Sequence, residues 1–173
     1  MDCGRRLLRG FAVSLGLDAE FFRPRFAKPL ARCSLIYYPP QPKESGSEQF
    51  GVAPHTDYGG LTLLSQDDTG GLQVRTRAGE WVTALPIAET FVVNVGDLMA
   101  RWTNDRFVST PHRVVNASGR ARYSVGVFFD PHFDTVIDPG ELRPPGPALY
   151  QPVTCGDYIV GRLDKAFSYR KEG

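Results

Sequence analysis

The sequence predicts an all-β core with flanking helices. Between Gly51 and Asp130 the chain breaks into short runs rich in β-branched and aromatic residues, separated by stretches of turn-forming residues. Many short strands at this spacing favour a sandwich or a barrel over alternating strand and helix units. With 173 residues, of which 42% are hydrophobic, the chain can fill the core of one domain.

Helices are expected on either side of this core. The segment from Arg5 to Leu15 carries apolar residues at helical spacing, and Gly16 would end that helix. The segment from Asp18 to Phe22 would form a second short helix, capped by its first residue. Near the C-terminus, the motif from Thr154 to Asp157 resembles a capping box, which predicts a helix running to about Phe167.

The predicted core strands follow one another at short intervals. They are Leu61–Gln66, Leu72–Arg75, Trp81–Ala84, Phe91–Val95, Arg113–Val115 and Tyr123–Phe129. A polar loop is expected from Gln41 to Gln49. The stretch from Asn116 to Arg120 is typical of a hairpin loop, which would pair His112 with Ser124 across two adjacent strands.

Composition and charge exclude several classes of function. A net charge of +1 gives no electrostatic reason to bind nucleic acid or a membrane surface. No apolar run approaches the roughly 20 residues that cross a bilayer, and the first residues lack the apolar core of a signal peptide. The three cysteines form no disulfide or metal pattern, so we expect a reducing, cytoplasmic location.

Two histidines and an aspartate predict a mononuclear metal site. In an extended strand residues i and i+2 share a face, so His55 and Asp57 can both reach one ion. His112 would supply a third ligand from another strand, and this set leaves the opposite coordination positions open, as in non-haem ferrous oxygenases. Taken alone, each of these residues is more often a hydrogen-bonded or surface residue. The remaining histidine, His132, lies among turn residues and is expected at the rim of a cleft, away from the metal.

Arg122 and Ser124 predict a carboxylate pocket beside the metal. An arginine fork matches a carboxylate bidentately, and the serine hydroxyl is a further donor. Ferrous iron and Arg122 contribute three positive charges, while Asp57 and a 2-oxo diacid contribute three negative ones, so the site would be neutral. Without the metal motif, Arg122 would be interpreted as a strand-edge arginine in a surface ion pair.

Six different short motifs follow one another along the chain. They are Pro54-His55-Thr56-Asp57-Tyr58-Gly59-Gly60-Leu61-Thr62, Gly71-Leu72-Gln73-Val74, Val93-Asn94-Val95-Gly96-Asp97, Thr110-Pro111-His112-Arg113-Val114, Arg122-Tyr123-Ser124 and Val136-Ile137-Asp138-Pro139. Through them the chain from His55 to Pro139 resembles the 2-oxoglutarate and Fe(II)-dependent dioxygenases of the isopenicillin N synthase-like family. Upstream, Ile36-Tyr37-Tyr38-Pro39-Pro40 is similar to the family's tyrosine-proline segment, although plant members usually have asparagine where this chain has Ile36.

The resemblance implies a double-stranded β-helix, or jelly roll, that holds Fe(II) on His55, Asp57 and His112. It also implies an enzyme in which dioxygen oxidises 2-oxoglutarate to succinate and carbon dioxide while a small organic molecule is hydroxylated or desaturated. The partner is then a small-molecule substrate, and the sequence does not indicate an oligomeric state. Residues 1–173 would form one catalytic domain, with a helical lead-in (1–30), a jelly-roll core (31–139) and a C-terminal tail with a helix (140–173).

The resemblance also assigns the pocket. The far carboxylate of 2-oxoglutarate would rest on Arg122, Ser124 and Tyr38. Phe128, even-numbered on the Arg122 strand, should face the cavity, and with Tyr58 it would form the wall of the substrate pocket. Simple core packing is the alternative for these two aromatic residues.

The chain departs from the family at its front and leaves other functions open. Members normally carry a sizeable N-terminal region before the segment that matches Arg5 to Leu15, so we expect part of the substrate lid to be missing. One alternative is a ferrous oxidase of the same fold that uses no 2-oxoglutarate, in which Arg122 and Ser124 bind the substrate's own carboxylate. The others are a truncated, non-catalytic jelly-roll binding module and a zinc hydrolase, which has no use for the arginine and serine pair.

Overall fold

The computed structural model describes residues 1–41, 50–142 and 144–166. Its strands are β1 (Leu30–Tyr38), β2 (Val52–His55), β3 (Leu61–Gln66), β4 (Leu72–Arg75), β5 (Trp81–Thr83), β6 (Val92–Val95), β7 (His112–Val114), β8 (Arg122–Asp130), β9 (Val136–Ile137) and β10 (Val153–Thr154). Its α-helices are α1 (Asp2–Ser14), α2 (Asp97–Trp102) and α3 (Cys155–Ala166), with short 3-10 helices at Pro24–Phe26 and Pro139–Leu142.

Eight strands form two four-stranded antiparallel sheets. The first sheet has the order β1-β8-β3-β6 and the second the order β2-β7-β4-β5, while β9 and β10 form a separate pair. The chain moves from one sheet to the other after most strands, which is the connectivity of a double-stranded β-helix. The predicted jelly roll is confirmed.

The core has two layers. Between the sheets, Tyr38 of the first sheet packs with Leu72 and Val114 of the second. On the outer face of the first sheet, a larger cluster packs α1 and the segment after it against the sheet, with Phe129 among its buried residues. Alternation along β8 explains both layers, because even-numbered side chains face inward and Phe129 faces outward.

The end of α1 is as the sequence predicts. Leu15 is its C-cap, and Gly16 follows with φ +74, a conformation that favours glycine. The amide of Leu17 donates to the carbonyl of Ala12, and that of Gly16 donates to Val13, which together form a Schellman motif. The helix begins at Asp2, three residues earlier than predicted.

The start of α3 also confirms its prediction. The Asp157 amide donates to the hydroxyl of Thr154 over 3.1 Å, and that hydroxyl donates to the Asp157 carboxylate over 2.7 Å. The helix is described to Ala166, so the predicted end at Phe167 lies outside the described residues. Most of the predicted loop from Gln41 to Gln49 also lies outside them.

The second short helix predicted from Asp18 to Phe22 is wrong. This segment forms consecutive turns, and a 3-10 helix begins only at Pro24. The Asp18 carboxylate accepts a hydrogen bond from the amide of Glu20, as in an Asx turn, so the side chain supports a turn in place of a helix.

The predicted hairpin between β7 and β8 is wrong as well. His112 pairs with His55 on β2 and Val74 on β4, so both edges of β7 are occupied within the second sheet. Ser124 pairs with Ile36 on β1 and Gln66 on β3, so both edges of β8 are occupied within the first sheet. Neither strand has a free edge for the other.

The connection from β7 to β8 crosses between the sheets. The Val115 amide donates to the carbonyl of Gly71, and the buried side-chain amide of Asn116 donates to the carbonyls of Pro39 and Arg120. These bonds satisfy the polar groups of a buried crossing. His112 and Ser124 therefore lie on facing sheets and approach the interior from opposite sides.

Candidate active site

His55, Asp57 and His112 come together at one end of the second sheet. One ligand atom from each lies within 4.8 Å of the others, close enough to share one metal ion. The His112 Nε2 lies 3.8 Å from Asp57 Oδ1, and the centroids of the two imidazole rings are 4.3 Å apart. The sequence predicted that both residues lie in one strand, and this is wrong. His55 is the last residue of β2, and Asp57 lies in the loop beyond it.

The two imidazoles are oriented by the same kind of backbone contact. The Nδ1 of His55 lies 2.8 Å from the carbonyl oxygen of Ala53, and the Nδ1 of His112 lies 3.1 Å from that of Thr110. A carbonyl can only accept, so each Nδ1 carries the proton and each Nε2 keeps its lone pair. This arrangement is typical of metal-binding histidines.

Asn94, a residue for which the sequence predicted no role, supports the carboxylate of Asp57. Its side-chain amide donates to Oδ2 of Asp57 over 3.3 Å, and both residues are 7% exposed. Asp57 Oδ1, on the other side of the carboxylate, is the oxygen near His112. The sequence did contain a signal for this role. Asn94 lies between Val93 and Val95 on a predicted strand, and a polar side chain that is buried in a strand needs a hydrogen-bond partner.

The loop after β2 is held by the start of α2. The amide of Asp97 donates to the carbonyl of Asp57 over 2.8 Å, and that of Leu98 donates to the carbonyl of Tyr58 over 3.1 Å. The first amides of a helix have no hydrogen-bond partner within it. Here the acceptors are carbonyls of the loop after β2 that carries Asp57, which we call the metal loop. The contact fixes Asp57 to a buried helix.

The side chain of Asp97 does not cap α2. The N-cap is Gly96, which has no side chain, and no side-chain cap bond forms because the loop carbonyls already accept from the helix amides. The Asp97 carboxylate instead accepts from the Thr56 hydroxyl over 3.1 Å and pairs with Arg162 over 2.9 Å. It therefore connects the metal loop to α3.

Glycines allow the loop to approach its neighbours closely. A Cβ on Gly96 would lie 2.2 Å from the carbonyl oxygen of Gly59, and one on Gly59 would lie 1.8 Å from the Asp130 carboxylate. That carboxylate accepts from the Gly60 amide over 2.7 Å. Burial raises the pKa of Asp130 to about 6, despite this hydrogen bond.

Arg122 lies inside the jelly roll with 0% exposure. Its Nε donates to the carbonyl of Gly70 over 2.6 Å, and Nη2 donates to the side-chain oxygen of Gln66 over 3.2 Å. The guanidinium carbon lies 4.6 Å from the ring centroid of Tyr38, its neighbour across β1 and β8. These contacts fix the plane of the guanidinium.

Two buried donors next to each other have no partner among the described residues. They are Nη1 of Arg122 and the hydroxyl of Ser124, two residues further along the same face of β8. An unsatisfied buried donor costs about 1–3 kcal/mol, and more when it is charged. A carboxylate is a group that could accept from such donors.

A cavity of about 420 Å³ opens beside the cluster. Its walls include His55, Asp57, Tyr58 and Phe128, so the structure brings both predicted pocket aromatics to it. Leu163 of α3 also lines it. A volume of this size suits a small organic molecule. His132 lines a different cavity and belongs to no metal-binding group among the described residues.

Comparison with known proteins identifies the family. The sequence profile of the 2OG-Fe(II) oxygenase superfamily matches residues 30–131. The chain belongs to that superfamily. The matched range contains every residue of the His-Asp-His cluster and both unpartnered donors, and its donor set suits Fe(II) and 2-oxoglutarate.

Proteins from plants and fungi are among those similar to this chain. A homoarginine-6-hydroxylase of Oryza sativa subsp. japonica is 41% identical, with 94% of this chain and 52% of the relative covered. A 2-oxoglutarate-Fe(II) type oxidoreductase of Emericella nidulans is 36% identical, with 99% and 51% covered. A Neurospora crassa protein crystallised at full length with alpha-KG has a TM-score of 0.91 at 35% identity, with 96% and 54% covered.

The chain spans about half the length of these relatives. Among the helices described, none combines the length and apolar character needed to cross a membrane.

Proposed function

We propose that this protein is a Fe(II)- and 2-oxoglutarate-dependent oxygenase of the isopenicillin N synthase-like type. It would couple oxidative decarboxylation of 2-oxoglutarate, giving succinate and carbon dioxide, to hydroxylation or desaturation of a small organic molecule. The observation that carries this proposal is the pair of unpartnered donors, Arg122 Nη1 and Ser124 Oγ, in the same interior as a His-Asp-His cluster. A metal site alone would not need them.

In this proposal His55, Asp57 and His112 hold the metal. Both Nε2 atoms are free to ligate because both Nδ1 atoms donate to backbone carbonyls. Asn94 holds one carboxylate oxygen of Asp57 and leaves the other for the metal. A bound ferrous ion would supply the redox chemistry and the coordination positions for oxoacid and dioxygen.

Arg122, Ser124 and Tyr38 would bind the far carboxylate of 2-oxoglutarate. The guanidinium is already fixed by Gly70 and Gln66, so little rotational freedom is lost when the carboxylate binds. Its charge also balances the site, because the metal, Asp57 and the diacid together leave one negative charge. A buried uncompensated carboxylate would be costly.

Tyr58 and Phe128 would position the substrate. Both line the cavity that contains His55 and Asp57, and their rings exclude water from the metal-facing side. Arg162 of α3 lies over the Tyr58 ring at 4.5 Å, which restrains that wall.

Two observations on relatives support 2-oxoglutarate as the co-substrate over an oxidase that does without it. The Neurospora crassa structure contains alpha-KG, and the Emericella nidulans relative is named a 2-oxoglutarate-Fe(II) type oxidoreductase. We also propose a cytoplasmic location, because free thiols and ferrous iron suit a reducing compartment.

Succinate release tests the proposal. Protein loaded with Fe(II) should release succinate from 2-oxoglutarate under air, and the rate should rise when a substrate is found in a screen of metabolites. Asp57→Ala should abolish both iron retention and succinate release, since it removes a ligand. An iron-loaded wild-type protein that neither binds nor consumes 2-oxoglutarate would contradict the proposal.

A further inference from the structure

An arginine that the proposed reaction does not use lies beside the metal cluster. Arg32, on β1, lines the same cavity as His55, Asp57 and Phe128. Its cross-strand partner is Phe128, so both side chains leave the first sheet on the inner face. The iron ligands and the oxoacid clamp do not include it, although it faces the space where a substrate would bind.

The Arg32 guanidinium is charged and available. Its carbon lies 4.3 Å from the ring centroid of Phe128, and among the described residues it makes no hydrogen bond or ion pair. A guanidinium stacked on a ring keeps its N–H groups directed outward in its own plane, where they can bind a carboxylate bidentately. Stacking thus orients the group without occupying its donors.

Among the described residues, neither carboxylate that lines the cavity forms an ion pair with Arg32. Asp130 lines the cavity too, but it accepts from the Gly60 amide and forms no ion pair with Arg32 within the described part of the chain. The charge of Arg32 lowers the pKa of Asp130, but burial raises it more, to about 6. Asp130 is therefore mostly ionised at neutral pH, but its carboxylate is bonded to the Gly60 amide and does not occupy the N–H groups of Arg32.

The formal charges of the proposed metal and oxoacid site balance without Arg32. The metal, Asp57, the oxoacid and Arg122 sum to zero, so the positive charge of Arg32 is not needed by them. The remaining walls include the apolar side chains Leu30, Ile159 and Leu163. The cavity therefore combines an apolar surface and an aromatic face with a guanidinium whose N–H groups have no acceptor among the described residues.

Resting on the proposed function, we propose that the primary substrate is a small carboxylic acid whose carboxylate binds Arg32 and whose body packs against Phe128. Arg32 is then the residue that selects acids over neutral analogues. It holds the substrate at the mouth of the cavity, so that the carbon to be oxidised lies toward the metal.

A matched pair of probes tests this inference. Phenylacetate and phenylacetamide have nearly the same shape and differ in charge. Each is titrated without oxygen into protein saturated with Fe(II) and 2-oxoglutarate, and its dissociation constant is taken from the change in the metal-to-oxoacid absorption band. The wild-type protein should bind phenylacetate about twofold to fivefold more tightly than phenylacetamide, as expected for an ion pair with an exposed arginine.

Variants then assign the preference to Arg32. Arg32→Met keeps an apolar stem on Phe128 and should abolish the preference, while Arg32→Lys should retain part of it. Arg77→Met, an equal charge change at an exposed position between β4 and β5, should leave the preference intact. The 2-oxoglutarate affinity should be unchanged in all three.

The outcomes separate the two proposals. If the band forms but the acid and the amide bind equally, or neither binds at millimolar concentration, or Arg32→Met keeps the preference, the inference about Arg32 is wrong and the proposed function stands. If no band forms in the wild-type protein, the proposed function fails and the inference fails with it.

Discussion

Replacing Arg122 by methionine should weaken 2-oxoglutarate binding without removing the metal. The substitution keeps most of the buried stem and deletes the guanidinium. Of its three nitrogens, Nε and Nη2 donate hydrogen bonds to Gly70 and Gln66, and Nη1 has no partner in the described part of the chain. Only the unpartnered nitrogen is assigned to the oxoacid, while the other two stabilise the fold.

The expected magnitudes follow from these contacts. A hydrogen bond to a charged group contributes about 1.5–3 kcal/mol, and each 1.4 kcal/mol is about tenfold in affinity. The dissociation constant for 2-oxoglutarate should therefore rise about tenfold to a hundredfold. Loss of the donors to Gly70 and Gln66 leaves buried acceptors unsatisfied and should lower the free energy of unfolding by about 1–3 kcal/mol.

The assay is an anaerobic titration of the Fe(II)-loaded protein with 2-oxoglutarate, followed by the metal-to-oxoacid absorption band. Iron content is measured on the same samples and should be unchanged. Arg113→Met is the matched control, because Arg113 also donates to a glutamine, Gln73, and stacks on an aromatic ring, that of Trp81. It should destabilise the fold similarly and leave 2-oxoglutarate binding intact.

Two results would refute this reasoning. An unchanged dissociation constant in Arg122→Met would show that the oxoacid is held elsewhere. An equal loss of affinity in Arg113→Met would show that the effect comes from general loosening of the fold.

Three further predictions concern the surroundings of the site. Asn94→Ala removes the donor to Asp57 and should weaken iron retention about tenfold to a hundredfold, measured by competition with a ferrous chelator; unchanged retention would mean that this contact does not orient the carboxylate. Gly96→Ala places a Cβ 2.2 Å from the Gly59 carbonyl oxygen and should lower the free energy of unfolding by about 1–3 kcal/mol in urea titrations, whereas wild-type stability would show that the loop can move away. Burial raises the pKa of Cys155 to about 12, so at pH 8 iodoacetamide should alkylate the two exposed cysteines and spare this thiol, and equal labelling would contradict its burial.

Much of the site could be predicted because it depends on local spacing. Arg122 and Ser124 are two residues apart on β8 and share a face of that strand, and Asp57 follows His55 so closely that the loop after β2 keeps the two side chains together. Short strands and turn signals were enough to indicate a β sandwich or barrel. Arg122 and Ser124 face the interior as predicted, although the predicted pairing of their strand is wrong. The even-numbered side chains of β8 point inward whichever strand lies beside it.

The errors concern contacts between distant segments. The stretch after Val114 has the composition of a hairpin loop, but composition does not tell whether the next strand joins the same sheet or the facing one. The contact between Asn94 and Asp57 likewise joins residues far apart in the chain, and only the folded arrangement brings them together. The partners of Asp97, which are Thr56 and Arg162, also lie on other segments of the chain.

The most direct test of the account is the binding of 2-oxoglutarate to the anaerobic ferrous protein, followed by visible absorption. The account predicts a metal-to-oxoacid charge-transfer band that appears on addition of one equivalent of iron, saturates with 2-oxoglutarate and is absent in Asp57→Ala. A wild-type protein that retains iron but shows no band at saturating 2-oxoglutarate would contradict it, and would favour an oxidase that binds its substrate's own carboxylate on Arg122.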